Sequence, residues 1–194
     1  YNLGNIFADK RDFEKAITFY NKALELQPDF AETYNALGLV YQDMQKYDLA
    51  LENFLKAYDK DKGNPEFCVN AADIYMQFSE FENAVKFYKE ALVYNPQDYK
   101  AMVCIGNALS EIKNFHEAFE YYQNALKINP DFAKGYLCYG IALSESGRVE
   151  IALENYKKAI SLEPNESKVY VILANTLADV GDFDNAVDYY KKAI

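Results

Sequence analysis

The chain has 194 residues, of which 51% are apolar and 26% are charged, and its formal net charge is −10. This acidity argues against a nucleic-acid partner and against electrostatic docking on an anionic membrane. No apolar run approaches the ~18 residues that indicate a bilayer-spanning helix, and the sequence shows no secretory or basic leader. We therefore expect a cytoplasmic protein without direct membrane insertion, with another protein or a peptide as its partner.

The prolines reveal a period of 34 residues that organises the chain. Pro96, Pro130 and Pro164 lie one period apart, and Pro28 lies two periods before Pro96. A fixed period of this length is typical of stacked supersecondary units, none of which can bury its apolar face alone. The period therefore predicts a repeat array and directs the search for function towards surfaces.

Small and aromatic residues recur at the same period. The small column comprises Gly4, Gly38, Ala72, Gly106, Gly140 and Ala174. The aromatic column comprises Tyr20, Phe54, Tyr88, Tyr122, Tyr156 and Tyr190. A glycine inside a helix costs about 0.5–1 kcal/mol relative to alanine, so its repetition needs a compensating gain. We expect that gain to be a close approach of two helices, with the aromatic ring filling the adjacent space.

The spacing within one period is helical. In the second copy, Tyr34, Gly38 and Tyr41 are four and three residues apart and therefore share one helix face. The pattern predicts two short antiparallel helices over about 31–44 and 47–60. The six copies are expected at about 1–30, 31–64, 65–98, 99–132, 133–166 and 167–194.

These columns resemble the tetratricopeptide repeat (TPR) family. The residues that carry the resemblance in the second copy are Tyr34, Leu37, Gly38, Tyr41, Ala50, Phe54 and Ala57. The resemblance covers essentially the whole chain, with Lys62 in place of a proline as a mild departure. It implies an all-α, right-handed superhelical solenoid of antiparallel helix pairs. It also implies a single array over 1–194, taken from a longer protein, with a concave groove lined by the first helix of each copy.

The first-helix columns that the core does not use are the candidates for this groove. They comprise Asn35, Val69, Asn70, Asp73, Val103, Asn107, Leu137, Ile141, Val171 and Asn175. Towards the later copies this set is apolar with interspersed asparagines. A contiguous exposed apolar strip usually marks a partner site, and the alternative is that neighbouring repeats shade these residues.

Charged residues flank the predicted groove on two edges. The edge residues are Lys100, Lys134 and Lys168 on one side and Asp43, Glu111, Glu145 and Asp179 on the other. A lysine at a helix N-terminus opposes the helix dipole, so we expect either a nearby acidic residue or an acidic ligand. The acidic edge either contacts basic side chains of a partner or is simply solvated.

The sequence offers no catalytic, metal-binding or cofactor-binding motif. His116 is the only histidine, and Cys68, Cys104 and Cys138 form no CxxC pair, so we interpret the cysteines as packing residues in a reducing compartment. The leading interpretation is a non-catalytic scaffold or adaptor that binds a peptide or helix in its groove. Two alternatives stay open: the substrate-recruiting arm of an enzyme whose catalytic domain lies outside this sequence, and a scaffold that assembles with copies of itself.

Overall fold

The computed structural model describes all residues from Tyr1 to Ile194 and contains twelve α-helices and no strand. The helices are α1 (Asn2–Asp9), α2 (Phe13–Leu26), α3 (Ala31–Asp43), α4 (Tyr47–Lys60), α5 (Pro65–Gln77), α6 (Phe81–Tyr94), α7 (Tyr99–Glu111), α8 (Phe115–Ile128), α9 (Ala133–Glu145), α10 (Val149–Leu162), α11 (Ser167–Asp179) and α12 (Phe183–Lys192). The all-α class predicted from the sequence is confirmed. None of these helices combines the length and the apolar character needed to cross a membrane.

The helices follow the 34-residue period. The first helices of the second to sixth copies begin at Ala31, Pro65, Tyr99, Ala133 and Ser167. In the second copy the observed bounds, 31–43 and 47–60, differ from the expected bounds by one residue. Each copy is therefore a helical hairpin closed by a turn of three residues, too short for anything but antiparallel neighbours.

The chain divides into two compact units, Tyr1–Pro96 and Gln97–Ile194, each of which holds three helical hairpins. Within the first unit, α3 packs on α2 and α5 packs on α4. Within the second unit, α9 packs on α8 and α11 packs on α10. The first helix of one copy thus covers the second helix of the copy before it, as expected of units that cannot bury their apolar faces alone.

The small column and the aromatic column pack directly against each other. A Cβ atom built on Gly38 would lie 2.4 Å from Cε1 of Phe54, far inside van der Waals contact. The same atom on Gly106 would lie 2.7 Å from Cε1 of Tyr122. Phe54 and Tyr122 are at most 1% exposed. The glycines therefore serve the close approach that the sequence predicted.

The turn within each hairpin contains a residue with positive φ. These residues recur at the 34-residue period and are Arg11, Gln45, Ser79, Lys113, Gly147 and Gly181. Each turn also closes with the hydrogen bond of a Schellman motif, for example from the Lys46 amide to the Tyr41 carbonyl at 2.8 Å. Only two of the six positions carry glycine, which readily adopts this conformation. The motif therefore ends the first helix even where the residue type disfavours the geometry.

Candidate functional site

A groove in the first unit is lined by residues of α1, α2 and α3 and by the start of α5. Its volume is about 480 Å³. The lining residues are Tyr1, Asn5, Ala8, Asp9, Tyr20, Glu32, Asn35, Ala36, Leu39, Val40, Asp43, Asn64, Glu66 and Phe67. Four of them are carboxylates and none is a lysine, arginine or histidine, so the groove carries concentrated negative charge. We call it the acidic groove.

Asn35 lines the acidic groove and connects its own helix, α3, to α5. Its side chain is only 7% exposed. Its Nδ2 donates a hydrogen bond of 3.1 Å to Oε1 of Glu66, and its Oδ1 accepts one of 2.8 Å from Nδ2 of Asn70. A buried polar side chain is tolerated when its hydrogen bonds are made, as they are here. The network holds the Glu66 carboxylate in place at the groove.

Tyr20 and Asn5 also line the acidic groove and are hydrogen-bonded to each other. The Tyr20 hydroxyl donates a hydrogen bond of 2.8 Å to Oδ1 of Asn5. Burial raises the pKa of Tyr20 to about 12, and the neighbouring Tyr1 and Asp9 reinforce the shift. The hydroxyl is therefore a neutral donor at physiological pH. No group of three or more His, Cys, Asp or Glu side chains is placed to hold a metal ion.

The predicted apolar column differs in exposure from copy to copy. Val103 is 3% exposed and Asn35 is 7% exposed, so these two positions are covered. Val69 and Leu137 are half-buried, and Val171 is 37% exposed. Shading by neighbouring residues, the alternative considered from the sequence, therefore applies to some copies. Val69, Leu137 and Val171 keep surface available for a partner.

Polar side chains at the register of Asn107 and Asn175 accept hydrogen bonds from the aromatic column. The hydroxyls of four tyrosines donate to side chains fifteen residues earlier: Tyr20 to Asn5 and Tyr122 to Asn107, both at 2.8 Å, Tyr88 to Asp73, and Tyr190 to Asn175 at 2.5 Å. In the second copy Leu39 occupies the same register, and its counterpart Phe54 has no hydroxyl. In the fifth copy the apolar residue is Ile141, which is half-buried. The carbonyl oxygens of Asn107 and Asn175 are thus already engaged within the chain.

Lys134 and Lys168 lie together in a smaller cavity of the second unit. The cavity measures about 200 Å³ and is lined by Ala133, Lys134, Leu137, Glu163, Glu166, Lys168 and Val169. The half-buried Cys138 lies nearby: burial raises the pKa of this thiol, while Lys134, Asn107 and Lys168 lower it in part. This cavity combines two lysines and two glutamates with apolar side chains, so its charges balance, in contrast to the acidic groove.

The remaining edge residues have local surroundings of different kinds. The Asp98 carboxylate caps α7 and accepts the backbone amide of Lys100 at 3.0 Å. Glu145 forms an ion pair of 3.1 Å with Lys113. Glu111 and Asp179 are exposed at the ends of their helices. Of the predicted acidic edge, the structure brings only Asp43 into the acidic groove.

Four further residues line the acidic groove: Glu32, Glu66, Asp9 and Asn5. Asp9 and Asn5 share their columns with the predicted acidic edge and the groove asparagines, whereas Glu32 and Glu66 were not assigned to the groove from the sequence. The available signal was a charge reversal, because Glu32 and Glu66 occupy the same column as Lys100, Lys134 and Lys168. The sequence alone drew attention to the lysines and left the glutamates out.

Profiles of the TPR family match the chain in five overlapping segments. A profile described as "TPR repeat" matches residues 4–45. Four profiles described as "Tetratricopeptide repeat" match 41–103, 99–132, 121–154 and 140–194. Together the matches extend from the first predicted copy to the last.

The chain is also similar to a curated protein and to solved structures. It is 36% identical over 69 residues to the UDP-N-acetylglucosamine–peptide N-acetylglucosaminyltransferase of Giardia intestinalis; this covers 35% of the chain and only 5% of that protein. The crystal structure of MamA matches with a TM-score of 0.79 and 26% identity, covering 87% of this chain and 98% of MamA. YrrB, described as a TPR protein with an unusual peptide-binding site, matches with a TM-score of 0.76 and 25% identity, covering 87% of each chain. The chain is an all-α solenoid and belongs to the tetratricopeptide repeat family.

Proposed function

We propose that the protein is a non-catalytic scaffold that binds an extended, basic segment of a partner protein in the acidic groove. The observation that carries this proposal is the groove of about 480 Å³, with four carboxylates around the covered Asn35. The TPR fold supports a role in protein interaction in general. The peptide-binding site ascribed to YrrB supports a peptide as the ligand.

The chemistry of the acidic groove favours lysine or arginine side chains. Glu32, Asp43 and Asp9 line a concave surface, where carboxylates act on a cation more strongly than on a flat surface. Glu66 is held by Asn35, so less side-chain freedom is lost when a ligand binds. The half-exposed Asn70 adds a carboxamide next to this network, suited to the peptide groups of an extended ligand.

The second unit supplies the rest of the predicted contact residues. Leu137 and Val171 keep apolar surface, and Lys134 and Lys168 stand beside Leu137. We propose a separate, mainly apolar contact here, because Glu163 and Glu166 line the same cavity and balance the charge of the two lysines.

The test measures binding of a short fluorescent peptide of alternating lysine and alanine, with a glutamate–alanine peptide of equal length as the comparison. The double variant Glu32→Gln/Glu66→Gln removes two groove charges and keeps the acceptor oxygen that Asn35 uses. We expect it to weaken the lysine peptide about tenfold or more, since hydrogen bonds to charged groups contribute about 1.5–3 kcal/mol each.

The matched control is Glu25→Gln/Glu82→Gln, which changes the net charge equally at exposed positions outside the acidic groove. We expect less than about a twofold change, because remote surface charges are screened by salt. If both double variants lost the same affinity for the lysine peptide, the effect would come from net charge and not from the acidic groove. Equal affinity for the lysine and glutamate peptides would contradict the proposal.

A second candidate function rests on the similarity to the Giardia glycosyltransferase. The chain would then recruit substrates for a catalytic domain elsewhere in a longer protein. The same groove would serve both roles, so peptide binding does not distinguish them. Assay of a longer form of the protein for transfer of N-acetylglucosamine to the bound peptide does distinguish them.

A further inference from the structure

Leu39 of α3 places accessible apolar surface inside the acidic groove. Its side chain lines the groove and is 42% exposed, whereas Leu37 and Val40 of the same helix are 3% exposed. Ala36, three residues before Leu39, is half-buried and also lines the groove. The acidic groove therefore offers a ligand an apolar contact as well as negative charge.

Within the first unit, this apolar character is particular to the second copy. The equivalent residues of the first and third copies, Asn5 and Asp73, are polar and accept hydrogen bonds from the tyrosines of their own copies. In the second copy the buried Phe54 ring has no hydroxyl to donate, so leucine is compatible with the core at this position. Much of the Leu39 side chain nevertheless remains accessible. The acidic groove is therefore apolar at a register where the neighbouring copies are polar.

Two carboxylates lie on either side of Leu39 along α3. Glu32 precedes it by seven residues and Asp43 follows it by four, so the three side chains share one face of the helix. At a rise of about 1.5 Å per residue, Glu32 lies about 10.5 Å and Asp43 about 6 Å from Leu39 along the helix axis. Successive side chains on one side of an extended peptide are about 6.8 Å apart. A peptide that follows α3 with an apolar side chain over Leu39 therefore brings its next side chain on that side to Asp43, and a long basic side chain on the other flank reaches towards Glu32.

We propose, on the basis of the proposed function, that the acidic groove selects an extended segment in which one apolar side chain lies between two basic ones on the same side of the strand. Leu39 is the residue that determines this specificity. The basic side chains complement Glu32 and Asp43, and the apolar side chain removes the exposed part of Leu39 from water. A purely basic segment supplies the first contact and not the second.

The test compares three short fluorescent peptides of equal length and equal charge. The first alternates lysine and alanine but carries leucine in place of its central lysine, so that leucine and lysines lie on one side of the strand. The second has alanine at the centre. In the third the leucine exchanges places with a neighbouring alanine, which moves it to the opposite side of the strand. We expect the first peptide to bind at least about fivefold more tightly than each of the others, because it buries more apolar surface against Leu39.

Leu39→Asn tests the residue itself. Asparagine is what the first, fourth and sixth copies carry at this register, and the exposure of Leu39 allows the polar side chain to be hydrated in the folded chain, as circular dichroism checks. We expect this variant to bind all three peptides with similar affinity. Leu39→Met keeps an apolar side chain and should retain the preference for the first peptide. The matched control Leu49→Asn changes a leucine that is 40% exposed on α4, outside the acidic groove, and should also retain it.

Failure of this specificity is distinguishable from failure of the proposed function. If the lysine peptides bind no better than the glutamate–alanine peptide, the proposed function is wrong and the specificity of Leu39 with it. If they do bind better, but the first peptide binds no more tightly than the other two, the groove recognises charge alone and only the specificity is wrong. A preference that persists in Leu39→Asn also overturns it, since the leucine then contacts another part of the chain.

Discussion

The hydrogen bond between Tyr122 and Asn107 provides a quantitative test of how the predicted groove asparagines are used. The Tyr122 ring is 1% exposed, and its hydroxyl donates to Oδ1 of Asn107 at 2.8 Å. Tyr122→Phe removes this bond and leaves the half-exposed Asn107 free to bind water. We expect a loss of about 1 kcal/mol in the free energy of unfolding, the usual net value of one neutral hydrogen bond.

Asn107→Leu should lower the free energy of unfolding by more than Tyr122→Phe does. It leaves the buried Tyr122 hydroxyl with the weak contact to Ser110 Oγ, 3.5 Å away, in place of the bond to Asn107. An unsatisfied buried donor costs about 1–3 kcal/mol. The double variant Asn107→Leu/Tyr122→Phe recreates the apolar combination that the chain already contains at Leu39 and Phe54. We therefore expect the double variant to lose about 1 kcal/mol less free energy of unfolding than the two single variants lose together. A coupling of this size is typical of residues in contact.

The measurement is urea unfolding followed by circular dichroism, with hydrogen exchange of α7 and α8 to localise the effect, because repeat arrays need not unfold in one step. The reciprocal variant Phe54→Tyr places a hydroxyl beside Leu39 and should destabilise, and Leu39→Asn should rescue it. If Tyr122→Phe lowers the free energy of unfolding by the same amount in the wild-type chain and in the Asn107→Leu variant, the two side chains are not coupled. Asn107 would then be fully available to a ligand.

Four further predictions concern packing, turns and ionisation. Gly38→Ala should destabilise by about 1–3 kcal/mol, since its Cβ would lie 2.4 Å from the Phe54 ring; a higher melting temperature would contradict the packing argument. Gln45→Gly should raise the unfolding free energy by about 1 kcal/mol, because its φ of 58° disfavours side chains; an unchanged urea midpoint would exclude this strain. Burial raises the pKa of Cys68 to about 11, so its thiol should react with a disulfide reagent at about pH 8 far more slowly in the folded than in the unfolded chain. Folding raises the pKa of Tyr20 from 10.0 to about 12, so its contribution to stability is complete below pH 10.0 and is lost as the pH rises towards 12. Between pH 10 and 12 the urea midpoint should therefore fall less for Tyr20→Phe than for the wild-type chain.

The architecture was predictable because its determinants are periodic. The columns of glycine and aromatic residues predicted the helix pairs and the close contact that Gly38 makes with Phe54. The positive φ within each hairpin was not predictable, since four of the six positions carry residues such as Gln45 and Lys113 that avoid this conformation in isolation. The hydrogen bonds of the Schellman motif impose it there, and such a motif depends on backbone geometry more than on residue type.

The candidate site was less predictable than the fold, because exposure depends on neighbours in space. Val103, Leu137 and Val171 share one column, yet their exposure ranges from 3% to 37%. The glutamates of the acidic groove were visible in the sequence, but only their position beside the covered Asn35 gives them a common role. A column identifies which residues are equivalent and does not tell how much surface each one offers.

Residues at equivalent positions differ between copies for two different reasons. Leu39 departs from the polar residues of its column, and its counterpart Phe54 departs from the tyrosines in the same copy, so the two changes satisfy each other inside the chain. The change from Glu66 to Lys100 one copy later is of another kind, because both side chains are exposed, and inside the chain Glu66 accepts a hydrogen bond from Asn35. A reversal of charge at an exposed, equivalent position alters what the surface attracts and leaves packing unchanged. This column, more than the asparagines that bind tyrosines, is therefore where we expect substitutions to change partner choice with the smaller effect on stability.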